Sequence, residues 1–172
     1  MTVRIREAVP ADAEALGRIH VAAWQAAYRG QLTDDYLDGL SVADRTERWR
    51  GTLRAQRDTW RVWVLQQDGP AVGFAVTGPS EDADADDRTG EVYAIYLLPD
   101  RLGTGLGRAL FAHAVEDLRQ RGFRAATLWV LESNQRARRF YERAGWSIDG
   151  TTAAERVDCE LRTTVRYRVE LA

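Results

Sequence analysis

Gly103, Gly105 and Gly107 alternate in the stretch Leu102-Gly103-Thr104-Gly105-Leu106-Gly107-Arg108, which runs straight into a helical pattern. With no side chains in the way, successive backbone N–H groups of such a loop can turn toward one point. Apolar residues then fall at Leu106, Leu110, Phe111, Ala114, Val115 and Leu118, a stripe of helical period that stops at Gly122. The loop therefore sits on a helix N-terminus, where free N–H groups and the positive dipole end favour an anion. A phosphate or pyrophosphate is the guest to expect, although the same spacing also serves a plain strand-to-helix turn.

Other reactive chemistry is sparse. A single cysteine, Cys159, excludes an internal disulfide and a cysteine-based zinc site. His20 and His113 lie far apart in the chain, so neither a metal centre nor a Cys–His nucleophile is expected. The net charge of −2, with arginine supplying the cations and lysine absent, offers no basic field for nucleic acid. No apolar run reaches membrane-spanning length and no signal-peptide core precedes the first strand, so a cytoplasmic protein with no membrane partner is expected. With 172 residues and 45% hydrophobic content, residues 1–172 suit one domain with a substantial core.

The elements that must position the loop can be read in order. Val3-Arg4-Ile5-Arg6 alternates as a half-exposed strand, and Pro10 opens a helix with the stripe Leu16, Ile19, Ala23 and Ala27, ending at Gly30. Beside that stripe His20, Trp24 and Tyr28 form an aromatic ridge at four-residue spacing. Residues 33–40 read as a short helix, and Ser41 with Asp44 as the cap of another through Trp49 and Leu53. Two strands, 60–66 and 71–77, flank the turn Asp68-Gly69-Pro70. Residues 81–87 hold five acidic side chains and read as a solvated loop. Residues 93–98 form an inner strand ended by Pro99, and 125–131 another. Ser133 or Asn134 then caps a helix carrying Ala137, Phe140, Tyr141 and Ala144 on one face, and residues 146–150 and 157–171 supply the last strands.

Taken together, the glycine loop and the later run Asn134-Gln135-Arg136-Ala137-Arg138-Arg139-Phe140-Tyr141-Glu142-Arg143-Ala144-Gly145-Trp146 resemble the two signatures of the GNAT superfamily of N-acetyltransferases. Leu102 stands where that family's loop begins with Gln or Arg, and Arg101 lies one residue earlier. The resemblance implies an α/β (α+β) fold: a mixed, mostly antiparallel sheet of six or seven strands, splayed between the fourth and fifth, with helices on both faces. Acetyl-coenzyme A would lie in the splay as acyl donor, with no metal. Its pantetheine arm would pair with the backbone around Ile95, Tyr96 and Leu97. Its pyrophosphate would rest on Gly103, Thr104, Gly105, Leu106, Gly107 and Arg108, and Asn134 would bond the pantetheine arm from the other side, where Tyr141 also belongs to the cofactor site.

The same resemblance implies transfer of an acetyl group to a primary amine, a small molecule in preference to a protein, by direct attack in a ternary complex. Tyr141 is the expected general acid for the leaving thiol, and the backbone N–H of Leu97 the oxyanion contact. Glu91, expected just before the fourth strand at the cleft mouth, is the first candidate base or water-positioning group, and Glu132 the second. Trp24, Tyr28, Tyr36 and Trp49 are the candidate acceptor wall, which suits a cationic or aromatic amine. Partners are thus acetyl-coenzyme A, an amine and, for the protein itself, a second copy in a homodimer. The other readings are a non-catalytic acyl-coenzyme A module and a nicotinamide dinucleotide enzyme. The latter fits poorly, because the glycines follow Gly-x-Gly-x-Gly and not Gly-x-Gly-x-x-Gly.

Overall fold

A computed structural model describes residues 2–55 and 58–171. In chain order the elements are β1 (Val3–Glu7), a 3-10 turn (Pro10–Asp12), α1 (Ala13–Tyr28), α2 (Asp34–Asp38), α3 (Val42–Arg54), β2 (Arg61–Gln67), β3 (Ala71–Pro79) and β4 (Thr89–Leu97). A second 3-10 turn (Pro99–Arg101) leads to α4 (Leu106–Gln120), β5 (Ala125–Leu131), α5 (Gln135–Arg143), β6 (Ser147–Val157) and β7 (Glu160–Glu170). The strands form one sheet in the order β1-β2-β3-β4-β5-β7-β6. Every pairing is antiparallel except that of β4 with β5.

That parallel pair is short. Only Thr89, Gly90 and Glu91 meet Ala125, Ala126 and Thr127, although β4 continues to Leu97 and β5 to Leu131. Just past the last pair, β3 and β4 slip by one residue: Val76 faces Ala94 and Thr77 faces Val92, leaving Tyr93 without a partner. A bulge of this kind bends its strand and adds twist, and it stands where the two strands part.

Alternation along the strands divides the core between two faces. Val64 and Phe74 pack with Leu16, Ile19 and Leu53 of α1 and α3, whereas Leu65 and Ala75 pack with Leu106, Leu110 and Ala114 of α4. A third cluster joins α4 and α5 to the far strands through Phe111, Tyr141, Trp146 and Tyr167. The helix read from Pro10 begins instead as a single 3-10 turn, because Asp12 binds Arg6 at 2.8 Å through both oxygens and accepts from the Val9 N–H at 2.8 Å. Along α1 the buried residues are Ala13, Leu16, Gly17, Ile19, Val21 and Tyr28, while Ala27, read as part of the stripe, is exposed, and Tyr28 beside it takes the buried position in the last turn. Ala144, read as part of the apolar face after Tyr141, is also exposed; it caps the C-terminus of α5.

Three further expectations are corrected. The fourth strand starts at Thr89, four residues before the position read from hydropathy, so Glu91 lies inside it. The penultimate strand does not stop at Gly150: β6 continues through an irregularity between Ile148 and Thr152 to Val157. Asp158 and Cys159, at φ 52° and 59°, then make a two-residue turn that no glycine signals. The acidic loop is not simply solvated. The Arg166 guanidinium, 7% exposed, binds Asp82 at 3.0 Å, Asp84 at 2.6 Å and Asp149 at 2.7 Å, which ties the loop to β7 and β6.

Helix α4 is pinned to the sheet by a polar contact as well. Asp117, buried on that helix, accepts from Arg61 of β2 at 2.7 Å, Thr77 of β3 at 2.8 Å and Arg121 at 3.2 Å. No helix among the described residues is long and apolar enough to cross a membrane. Asp117→Ala leaves two guanidinium groups and a buried hydroxyl without their acceptor, and is expected to lower stability by about 2–3 kcal/mol. Asp117→Asn, which can still accept from Thr77, should lose less. Urea unfolding midpoints check the order, and an unchanged midpoint for the alanine variant contradicts the pinning role.

Candidate active site

The glycine loop is built as an open donor cradle. Gly103 and Gly105 have φ of +80° and +89°, the left-handed region that glycine enters without strain, and a Cβ at either position would meet nothing within 4 Å. Gly105 is the N-cap of α4, whose first turn holds no acidic residue, so no side chain neutralises the positive helix end. Among the described residues, the first backbone bond of the helix runs from Ala109 N–H to Gly105 O, and the N–H groups of residues 103–108 find no backbone acceptor. Thr104 closes the loop with its hydroxyl on the Arg101 carbonyl at 2.7 Å. Residues 103–108 therefore fit a diphosphate through main-chain donors alone, as an anion site at a helix N-terminus requires.

The splay supplies a second set of unused backbone groups. Leu98 N–H donates to Val72 O at 2.9 Å, so alternation turns the backbone of Tyr96 toward β3 and that of Ile95 and Leu97 toward the gap beside β5. Ile95 and Leu97 are thus aligned for an added strand-like ligand. Tyr96 is not; it contributes its side chain instead. Its hydroxyl accepts from Trp24 Nε1 at 3.1 Å, and its ring stacks on His20 with centroids 4.8 Å apart.

Tyr141 arises from α5, on the far side of the splay, and is 9% exposed among Phe111, Phe140 and Tyr167. Burial, then the neighbouring Tyr96 and Tyr28 hydroxyls, push its pKa up. Burial likewise pushes Tyr96 up to about 12. Both phenols therefore stay protonated near neutral pH and can only give a proton. Asn134 caps α5: its Oδ1 accepts from Ala137 N–H at 3.2 Å, and its Nδ2 donates to Tyr28 OH at 3.5 Å. The cap occupies its oxygen, leaving donor capacity for a ligand.

Across β4 lies a cavity of about 440 Å³. Three of the four aromatic residues read as an acceptor wall, Trp24, Tyr36 and Trp49, line it. Tyr28 sits behind the wall, packed edge-on against Trp24 at 4.9 Å and reaching Asn134. Sequence reasoning missed the opposite rim, Glu155, Arg156 and Val157. These come from the β6–β7 hairpin, whose tip is held down by Asp158 accepting from the Thr33 N–H and hydroxyl at 3.0 and 2.6 Å. His20, read as part of the aromatic ridge of the first helix, also lines the cavity. Burial, helped by Arg45, lowers the His20 pKa to about 3, so its ring is neutral.

Glu91 stands at the base of the splay and not at its mouth. It is 6% exposed, in the last β4–β5 pair, opposite Thr127. Ser80 donates to it at 3.2 Å. Burial, then the charge of Asp82, raise its pKa to about 7. Glu132, the second candidate, is exposed beyond the end of β5, and its backbone N–H is taken by Thr163 O at 2.9 Å. Trp129 of β5 donates its Nε1–H to Asp82 at 3.0 Å and belongs to the acidic-loop clamp. No group of three or more metal-ligating side chains is found among the described residues.

Comparison with known proteins agrees with this geometry. The family model of the acetyltransferase (GNAT) family matches residues 16–146. An uncharacterized N-acetyltransferase of Bacillus subtilis, YuaI, is 36% identical over 133 residues, 77% of this chain and 73% of that protein. The crystal structure of a GNAT-family acetyltransferase from Desulfovibrio desulfuricans superposes with a TM-score of 0.73 at 28% identity, covering 99% of this chain and all of the other. The PaiA N-acetyltransferase of Thermoplasma acidophilum, solved in complex with coenzyme A, shares the fold with a TM-score of 0.76 at 17% identity, covering 99% of each chain. A match to the family model over most of the length, on a splayed sheet with a glycine cradle at α4, makes this chain a member of the GNAT acetyltransferase family.

Proposed function

We propose that the protein transfers an acetyl group from acetyl-coenzyme A to the primary amine of a small molecule, by direct attack while both are bound. One observation carries this reading: the open backbone edge at Ile95 and Leu97 continues into the unmet N–H groups of residues 103–108. An extended amide-bearing arm ending in a diphosphate matches both, pairing with the strand edge as an added strand does. The donor supplies an activated thioester carbonyl. The N–H of Leu97 faces the gap where charge builds on that carbonyl oxygen, and stabilises it there. Asn134 and Tyr141 close the site from α5.

Proton movement falls to two side chains. A free alkylamine has a pKa of about 10.4 and must lose a proton before it attacks, whereas a departing thiolate, with a thiol pKa of about 8.5, leaves more readily when it is protonated. Tyr141 is the donor to the leaving sulfur. Glu91, hydrogen-bonded to Ser80 and with its pKa raised to about 7, accepts the amine proton through an intervening water. The small-molecule preference rests on the cavity, whose wall of Trp24, Tyr36, Trp49 and Tyr96 is rimmed by the β6–β7 hairpin.

Tyr141→Phe is expected to lower kcat by about 100-fold while acetyl-coenzyme A affinity, read by calorimetry, stays within about threefold. Unchanged turnover removes the acid role. For Glu91 the activity limb is expected to rise with pH about a midpoint near 7 and to vanish in Glu91→Gln. Stability moves the opposite way. The carboxyl titrates near 4.5 when unfolded and near 7 when folded, so between those values the folded state binds more protons and the wild type loses stability as pH rises. Glu91→Gln escapes that loss, and by pH 8 should gain about 2–3 kcal/mol relative to its difference at pH 4.5. Denaturant curves at the two pH values that show a constant difference contradict the assignment.

A further inference from the structure

The acceptor cavity contains a cation with no counter-ion. Arg45 of α3 lines it and is partly buried, yet among the described residues its guanidinium has neither an ion pair nor a hydrogen bond. Among the described arginines that are partly or fully buried, it stands alone in this. The other partly or fully buried arginines, such as Arg6, Arg61, Arg121, Arg138 and Arg166, each hold a carboxylate or another acceptor. Among the described residues that line the cavity, the one carboxylate is Glu155, on the exposed hairpin rim, and the rings of His20, Trp49 and Tyr96 line the same space. Unmet polar groups gather at the same place, because His20 Nδ1 and Trp49 Nε1 are buried without a hydrogen-bond partner among the described residues. An indole N–H can only donate, and so can a guanidinium.

The Arg45 guanidinium, open to the cavity beside a neutral histidine and aromatic faces and without an acceptor from the protein, is matched best by a planar oxyanion that takes two parallel N–H bonds. The expectation of a cationic or aromatic amine, drawn from aromatic side chains alone, narrows once Arg45 is placed among them. Resting on the acetyltransferase reading of the site, we propose that the acceptor is an amine that also bears a carboxylate-type oxyanion, which docks on Arg45, together with an aromatic or apolar body held by Trp24, Trp49 and Tyr96. A zwitterionic amino acid of aromatic type has this chemistry. The anion fixes one end against α3 and leaves the amine to approach the β4 edge.

Matched amine pairs test the idea with the intact protein: L-phenylalanine against phenethylamine and L-tryptophan against tryptamine, at saturating acetyl-coenzyme A, with coenzyme A release as readout. The carboxylated member of each pair is expected to have the higher kcat/KM. Arg45→Gln should lower kcat/KM for it by about 30- to 100-fold, chiefly through KM, and leave the decarboxylated member within about threefold. Arg45→Lys should recover part of the loss. Equal losses for both members in Arg45→Gln, a wild-type preference for the decarboxylated amines, or no turnover of either member while calorimetry shows coenzyme A bound would each overturn this inference alone. Failure to bind coenzyme A would overturn the acetyltransferase reading and this inference with it.

Discussion

Two neighbouring strands that stop bonding after three residue pairs leave main-chain donors and acceptors unmatched inside the sheet, and the molecule is arranged to keep them so. An unpaired backbone group away from water is costly, so a gap of this kind closes unless something holds its sides apart. Here the bulge at Tyr93 bends β4 away from β5, Asp117 fixes α4 on the β2–β3 side, and α5 packs Tyr141 and Phe140 against Phe111 on the other. The resulting opening continues without a break into the α4 N-terminus. A ligand that supplies both the missing strand and a terminal anion completes the structure as well as occupying it.

The charged residues around the opening serve it unequally. Arg166 gathers Asp82, Asp84 and Asp149 into one buried cluster and holds Asp84 down to about 2, which keeps the acidic loop folded over the base of the splay. Just beneath it Glu91 is deprived of solvent and repelled by Asp82, which is how a carboxyl reaches the range where proton exchange at neutral pH is easiest. The arrangement sacrifices stability at alkaline pH for a group poised to titrate. Arg45, by contrast, is left unmatched on the acceptor side. The two arginines thus differ in surroundings: carboxylates enclose Arg166, and no hydrogen bond or ion pair of Arg45 is found among the described residues.

Much of this was legible in the chain because it rests on local rules. The glycine spacing, the Ser41 cap, the cap read at Ser133 or Asn134 and found at Asn134, and the α4 stripe all follow from short-range chemistry. What could not be read depends on pairing across the sheet. The bulge at Tyr93 shows only against β3, and the early start of β4 was hidden because Thr89, Gly90 and Glu91 lack the apolar character of a strand buried on both faces. The turn at Asp158 and Cys159 carries no glycine, so the hairpin that brings Glu155 to the cavity was invisible, and with it the rim of the acceptor site. Arg45 was one arginine among many until its neighbours were known.

The central claim is that backbone alone, along the open edge of β4 and around the α4 N-terminus, grips the acyl carrier. Amide hydrogen exchange with and without saturating coenzyme A measures those N–H groups directly. Slowed exchange is expected at Ile95, Leu97 and residues 103–108, with Tyr96 already protected in the free protein by its pairing with β3. Exchange unchanged at those amides when the carrier is bound, with protection gained on another face, would contradict that claim.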